Sequence, residues 1–202
     1  MSGAGAAGTA ILKLLKHAGA RDIIVTDVHG AVHPGREDLD ANLRWIAENT
    51  NPTGYSGDLR GAVRGADVFI GVSAPNVLSG EDIVEMNSDS IIFALANPEP
   101  EIDPDIAHLH AAVVATGRSD YPNQINNVLV FPGFFRGLLD AQSHYVNSDM
   151  MVAAAEALAD VVTEDELSAN YIIPSVFHSD LSHHVATAVR EAAQRDRDAR
   201  GK

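Results

Sequence analysis

Apolar residues in the first two thirds of the chain fall into two alternating patterns. Ile11, Leu14, Leu15 and Ala18 recur at helical spacing, so one face of that segment is buried. Gly19 is placed to end the helix. Residues 23–26 then form a short β-branched run, as a buried parallel strand requires. The alternation continues. Leu39, Leu43 and Ile46 are spaced as a helix, and 58–65 is a short helix capped by Asp58. Residues 67–70, 90–95 and 112–115 read as strands, separated by helices over 81–86 and 104–110, the second opened by Pro104. Such alternation predicts an α/β fold, a doubly wound parallel sheet of the Rossmann type. The last third is helical, over 132–139, 150–162, 164–169 and 181–193. Its charged tail from Gln194 is expected to fray. The chain divides on this reading into a dinucleotide-binding core, 1–146, and C-terminal helices, 147–202, packing on the same domain.

The first residues carry the most informative motif. Gly3, Gly5 and Gly8 form a G-x-G-x-x-G loop with Ala6 and Ala7 between the last two glycines. Its first glycine permits a tight turn, its second lets a pyrophosphate approach the backbone, and its third lets a helix pack closely on a sheet. Asp27 follows the next strand about 20 residues on, where an acid binds ribose hydroxyls. The bland alternative is a small-residue turn and an acid capping a strand. A Rossmann loop follows a strand that lies mid-sheet, yet only Met1 and Ser2 precede Gly3. The sheet is therefore expected to lack its first strand, and the chain to be the C-terminal piece of something longer. Ligands of such sheets sit at the carboxyl ends of the strands, where Asp27, Ser73, Asn97 and Gly117 fall.

Composition narrows the partners. A formal net charge of −14 opposes binding to nucleic acid or to anionic membranes. The absence of cysteine excludes disulfides, thiolate metal sites and a cysteine nucleophile, and is compatible with a reducing cytoplasm. No apolar run approaches the ~18 residues of a membrane helix.

Several polar residues are candidates for chemistry. Asn97 precedes a proline at a strand end, and Asn126 and Asn127 precede an apolar run. An amide donates and accepts, so it can hold a carboxylate and a hydroxyl without adding charge. Asn before Pro is equally a turn former, and the pattern leaves both readings open. His183 and His184 are adjacent on a helix and point about 100° apart, which is poor for chelation. His29 and His33 flank Gly30 in a loop, so no pair has the helical geometry of a zinc motif. The pairs Asp103/Asp105 and Glu156/Asp160 read as a helix start and a solvated face. Ser73 lacks the G-x-S-x-G context of a hydrolase nucleophile.

Three stretches together resemble the malic enzyme family in its smaller bacterial form: the glycine loop from Ser2 to Gly8, 96–102 (A-N-P-E-P-E-I) and 115–133, which contains T-G-R-S-D-Y-P-N-Q-I-N-N. The likeness spans nearly the whole chain, including 172–175. It implies NAD- or NADP-dependent oxidative decarboxylation of L-malate to pyruvate and CO₂, with Mg²⁺ or Mn²⁺ held mainly by an N-terminal domain absent from this chain. By the same resemblance Gly3, Gly5, Ala6, Ala7 and Gly8 hold the pyrophosphate and Asp27 the ribose. Ser73 and Asn97 lie near the nicotinamide half, and Asn97, Asn127 and the neighbouring Asn126 contact malate. Asp27 would repel a 2′-phosphate and so favours NAD, although Arg36 in the following loop could still receive one. Family members are homo-oligomers, dimers or tetramers. The family's catalytic Tyr and Lys lie upstream of the loop, and Tyr55, Tyr121, Tyr145 and Tyr171 do not sit in that motif. No catalytic residue is assignable, and the isolated chain is expected not to turn over malate. The alternatives are another two-domain dehydrogenase of the amino-acid type and an inactive nucleotide-binding module.

Overall fold

A computed structural model describes residues 1–201. The chain divides into two compact units, Met1–Gln124 and Ile125–Lys202.

The first unit alternates helices with short strands: α1 (Ala6–His17), β1 (Thr26–Asp27), β2 (Gly30–Ala31), α2 (Ala41–Asn49), α3 (Leu59–Ala62), β3 (Val68–Gly71), α4 (Gly80–Val84), β4 (Ile91–Ala94), α5 (Pro104–Ala107) and β5 (Val113–Thr116). Strands β3, β4 and β5 pair in parallel and in sequence order, with Val68 opposite Ile91 and Ile91 opposite Val113. The helices begin where side chains can cap them. Asp40 accepts from the Leu43 amide, Asp58 from Gly61, and Ser79 with Asp82 forms a reciprocal capping box on α4. One core cluster gathers Phe69, Ile83, Ile92 and Val114; another gathers Leu12, Val25, Val32 and Ile46.

Met1 and Ser2 lie between Thr26 and the end of β3. Ser2 bridges in parallel to Thr26 on one side and to Gly71 on the other. The Ser2 amide donates to Ile70 and the Val72 amide to Ser2; the Gly3 amide donates to Thr26 and the Thr26 amide to Met1, all at 2.8–2.9 Å. The segment 23–26 differs from its expected form. Only Thr26 and Asp27 form a strand, antiparallel to β2. A ladder needs a partner of equal length, and Met1 and Ser2 supply two residues of it. The remaining carbonyls bond singly, Ile23 to the Asn51 amide and Val25 to the Val32 amide.

The second unit holds a 3₁₀ turn (Asn127–Leu129), α6 (Phe131–Asp140), α7 (Ser148–Ala159) and α8 (Leu181–Arg200) around Leu129, Phe134, Met150, Leu181, Val185 and Val189. Gly133 and Gly137 let α6 lie directly on α8. A Cβ on them would approach the Ser182 and Ala186 carbonyl oxygens to 2.6 and 2.5 Å. Two expectations fail here. Residues 164–169 make one turn, not a helix: Leu167 still bonds to Thr163, but the Ser168 amide turns to Tyr171. Leu167 is 59% exposed, so no burial stabilises a costly helix nucleus. The tail does not fray either. Asp196 accepts from the Tyr145 hydroxyl and the Asn147 amide and pairs with Arg200, while Arg197 donates to the Ala141 carbonyl, so α8 is anchored to its last turn. No helix among the described residues is long and apolar enough to cross a membrane.

Candidate dinucleotide site

The glycine loop sits between the two residues that complete the sheet and the start of α1. Gly3 has φ +110°, and a Cβ there would lie 2.6 Å from the Val72 carbonyl oxygen. Any other residue is strained in that conformation. A Cβ on Gly8 would fall on the Gly3 carbonyl oxygen. Gly5 is different, because a Cβ there would meet nothing within 4 Å. Its side faces open space beside the N-terminus of α1. No side chain caps that terminus, and its first turn holds no acid. The first N–H groups and the positive end of the helix dipole are thus left for an anion. The loop is braced from beneath: the Thr9 hydroxyl donates to Gly5 at 2.8 Å, and the Asn42 amide donates to Ala4 at 3.0 Å and to the Thr9 hydroxyl at 2.9 Å. A braced loop, an open Gly5 and an uncapped helix fit a diphosphate.

Asp27 lies at the end of β1. Its Oδ1 accepts from the His29 amide at 2.8 Å and from Arg36 Nη1 at 3.0 Å, and its Oδ2 has no partner among the described residues. Arg36 is itself held by Asp38, with Nε donating to Oδ1 at 2.8 Å and Nη2 to Oδ2 at 2.5 Å. The Arg36 side chain is 8% exposed. The guanidinium beside it holds the Asp38 carboxyl well below the usual range, at about 2. The Arg36 fork is therefore spent on two carboxylates and not left free for a phosphate.

Ser73 follows β3 and is exposed, and its hydroxyl lies 2.8 Å from that of Ser2. Asn97 follows β4 and is also exposed. Its amide donates to Leu95 at 3.3 Å, and Gly117 at the end of β5 lies against its Oδ1. The structure thus gathers the glycine loop, Asp27, Ser73, Asn97 and Gly117 along the carboxyl ends of one sheet. In the second unit Asn126 caps the 3₁₀ turn by accepting from the Val128 amide at 3.1 Å, and Asn127 is exposed as the turn's first residue.

Other chemistry finds little support. Tyr55 donates to the Asp58 carbonyl, Arg118 lies over the Tyr121 ring, and Tyr145 is tied to Asp196. Burial pushes the Tyr55 and Tyr121 hydroxyls above their ordinary range. Among the described residues no group of three His, Asp or Glu could hold a metal.

A parallel sheet with a bare glycine loop at a helix N-terminus and an acid at the neighbouring strand end defines a Rossmann-type dinucleotide-binding domain. A family model described as "Malic enzyme, NAD binding domain" matches residues 1–194. The chain belongs to the malic enzyme family. It is 55% identical to an NAD-dependent malic enzyme of Geobacillus stearothermophilus, over 96% of this chain and 41% of that protein. It is 50% identical to a bifunctional malic/malolactic enzyme of Bacillus subtilis, over 95% of this chain and 47% of that protein. The solved NAD-dependent malic enzyme of Thermotoga maritima superposes with a TM-score of 0.87 at 42% identity, covering 94% of this chain and 50% of that one. Across the relatives compared, the chain spans between 27% and 50% of their length. Names among those relatives specify NAD in some cases and NADP in others.

Sequence pattern alone does not single out three residues that shape the site. Thr9 and Asn42 brace the loop, and a hydroxyl one helical turn past Gly5 is the only hint of it. Glu101 is wholly buried at the top of the sheet, while Glu99, two residues earlier, is exposed. Nothing in the P-E-P-E stretch distinguishes the two acids.

Proposed function

We propose that this chain holds the nicotinamide cofactor for oxidative decarboxylation of L-malate to pyruvate and CO₂, with NAD preferred over NADP. The observation that carries the reading is the open side of Gly5 beside the uncapped α1 terminus. The N–H groups of the loop and of Ala6, Ala7 and Gly8 would receive the pyrophosphate. Asp27 would accept the ribose hydroxyls through its unpartnered oxygen. A 2′-phosphate would meet that carboxylate, and the arginine that could offset the repulsion is engaged by Asp38. Ser73 and Asn97 would line the nicotinamide half. Asn97 would also offer its amide to malate. When bound, nicotinamide supplies the hydride acceptor. No group of the described residues would hold Mg²⁺ or Mn²⁺, so no metal-assisted step is assigned to them. A cytoplasmic homo-oligomer remains part of the proposal, on family resemblance.

The test is a titration of NAD and NADP followed by thermal shift, on the wild-type chain and on Gly5→Ala. A ligand at 100 times its Kd stabilises by about 2.7 kcal/mol. NAD is expected to raise the melting temperature of the wild type. Gly5→Ala should melt at the wild-type temperature without ligand, since its methyl group meets no atom, yet bind NAD at least tenfold more weakly, roughly the effect of losing one charge-assisted hydrogen bond. Absence of any NAD shift in a folded wild-type chain would overturn the proposal.

A further inference from the structure

Glu101 is 0% exposed and makes no ion pair among the described residues. Its carboxyl group is instead surrounded by hydrogen-bond donors from two strand-end loops. Oε1 accepts from the Ser73 amide at 2.8 Å and from the Ser73 hydroxyl at 3.3 Å, and Oε2 accepts from the Ala96 amide at 3.0 Å. The backbone around it ties in the same loops, with the Leu78 amide donating to the Glu101 carbonyl and the Asn76 amide to that of Pro100. Gly71, the last residue of β3, makes room for the group. A Cβ on Gly71 would collide with the Glu101 carboxyl and lie 2.6 Å from its Oε1. Gly71 is not among the residues with positive φ, so its lack of a side chain serves that space and no backbone demand.

The two loops it joins are those of Ser73 and Asn97. Ser73 also reaches Ser2, next to the glycine loop, and Ala96 immediately precedes Asn97. A wholly buried acid is costly unless its oxygens are satisfied. Here the satisfied oxygens fix the two loops at Ser73 and Ala96, beyond the backbone bonds that join them at Asn76 and Leu78.

We infer that Glu101 is a positioning residue: seated on Gly71, its carboxyl group sets Ser73 and Asn97 for the nicotinamide end of the dinucleotide and has no part in holding the pyrophosphate or the adenosine ribose. This rests on the dinucleotide reading above. Two substitutions disturb the same group from opposite sides. Glu101→Gln turns an amide donor toward one of the backbone donors. Gly71→Ala displaces the carboxyl without changing any charge. Glu101→Asp, which keeps the group but shortens it, is the milder third.

Binding of NAD and of ADP-ribose, which lacks nicotinamide, separates the two ends of the cofactor. Calorimetric titration of the wild-type chain and the three variants is expected to give an NAD Kd raised about tenfold in Glu101→Gln and Gly71→Ala, the order of one buried hydrogen bond. ADP-ribose Kd should stay within about twofold, because its contacts are made elsewhere. Glu101→Asp should lie between them and the wild type. The double variant should lose little more than either single one, because both act on one group. Equal weakening of both ligands would reduce Glu101 to a general structural role, and wild-type NAD affinity in the variants would leave it with none; either overturns the inference. If Glu101→Gln fails to fold, Gly71→Ala and Glu101→Asp carry the same prediction. A folded wild type that binds neither ligand overturns the dinucleotide reading itself, and the positioning role falls with it.

Discussion

At Asp27 one carboxylate oxygen is occupied by Arg36 and the His29 amide, and the other is open. That asymmetry lets a single acid anchor its loop while keeping an oxygen open for the sugar proposed above. It also makes Asp38 the residue that governs Arg36. Replacing Asp38 by Ala would release two of the guanidinium's hydrogen bonds and turn the arginine into an available phosphate ligand. The expected result is a rise of about tenfold in NADP affinity relative to NAD, the worth of one charge-assisted hydrogen bond; parallel titrations of both cofactors measure it. The pair has a pH signature too. The Asp38 carboxyl is depressed in the folded chain to about 2. A group of that kind contributes stability that is present above its unfolded pKa of about 4 and lost as pH falls through the folded value. The melting-temperature difference between wild type and Asp38→Ala should therefore hold from neutrality to about pH 5 and vanish toward pH 2. Growth of the difference on acidification would contradict the pairing. Of this arrangement the sequence shows Asp27 by its distance from the glycine loop. It does not show that Arg36 is already engaged, because a loop's hydrogen bonds are set by tertiary packing.

Among the elements, α6 and α8 show how small residues set a helix crossing. Gly133 and Gly137 are one turn apart and present bare backbone to Val185 and Val189. The close approach leaves no room for a methyl group. Gly137→Ala should destabilise the second unit by about 1–3 kcal/mol, the usual effect of overpacking, although alanine is the better helix former. Thermal melting followed at a far-ultraviolet helix band measures it; a stabilised variant would mean that α6 can back away from α8. The elements most legible in the sequence are those whose burial follows a period. Strands β3, β4 and β5 and helix α7 lie within a few residues of their expected positions. Those that went astray depend on partners distant in sequence. Residues 23–26 lack a full ladder to pair with, the turn at 164–169 lacks a surface to bury against, and the end of α8 is held by Tyr145, Asn147 and Ala141. None of these causes is periodic, so hydropathy spacing does not reveal them.

Taken whole, the described residues offer the cofactor cradle proposed above and no group of three His, Asp or Glu that could hold a metal. The four tyrosines include three tied up in local contacts. The 202-residue chain is thus expected to bind NAD yet give no malate-dependent NADH above a blank without protein, even with Mn²⁺ added. Spectrophotometry at the NADH band tests it, and measurable turnover would show that the chain carries an acid, a base and a metal site not recognised above. The acidity of the chain, −14 in total, makes the concentration of positive potential at the α1 terminus all the more local.

The pairing of Ser2 between Thr26 and Gly71 has a consequence in time. The Ser2 hydroxyl meets that of Ser73, 71 positions further along. Ser2 is thereby placed at the middle of the sheet between two partners that lie far apart along the chain, Thr26 and Gly71. Closing so long a loop must precede any reward from the contacts it brings together. The pieces on either side of Ser2 are consequently free to collapse as separate hairpin and sheet fragments, and Ser2 is the seam along which they are finally sewn together.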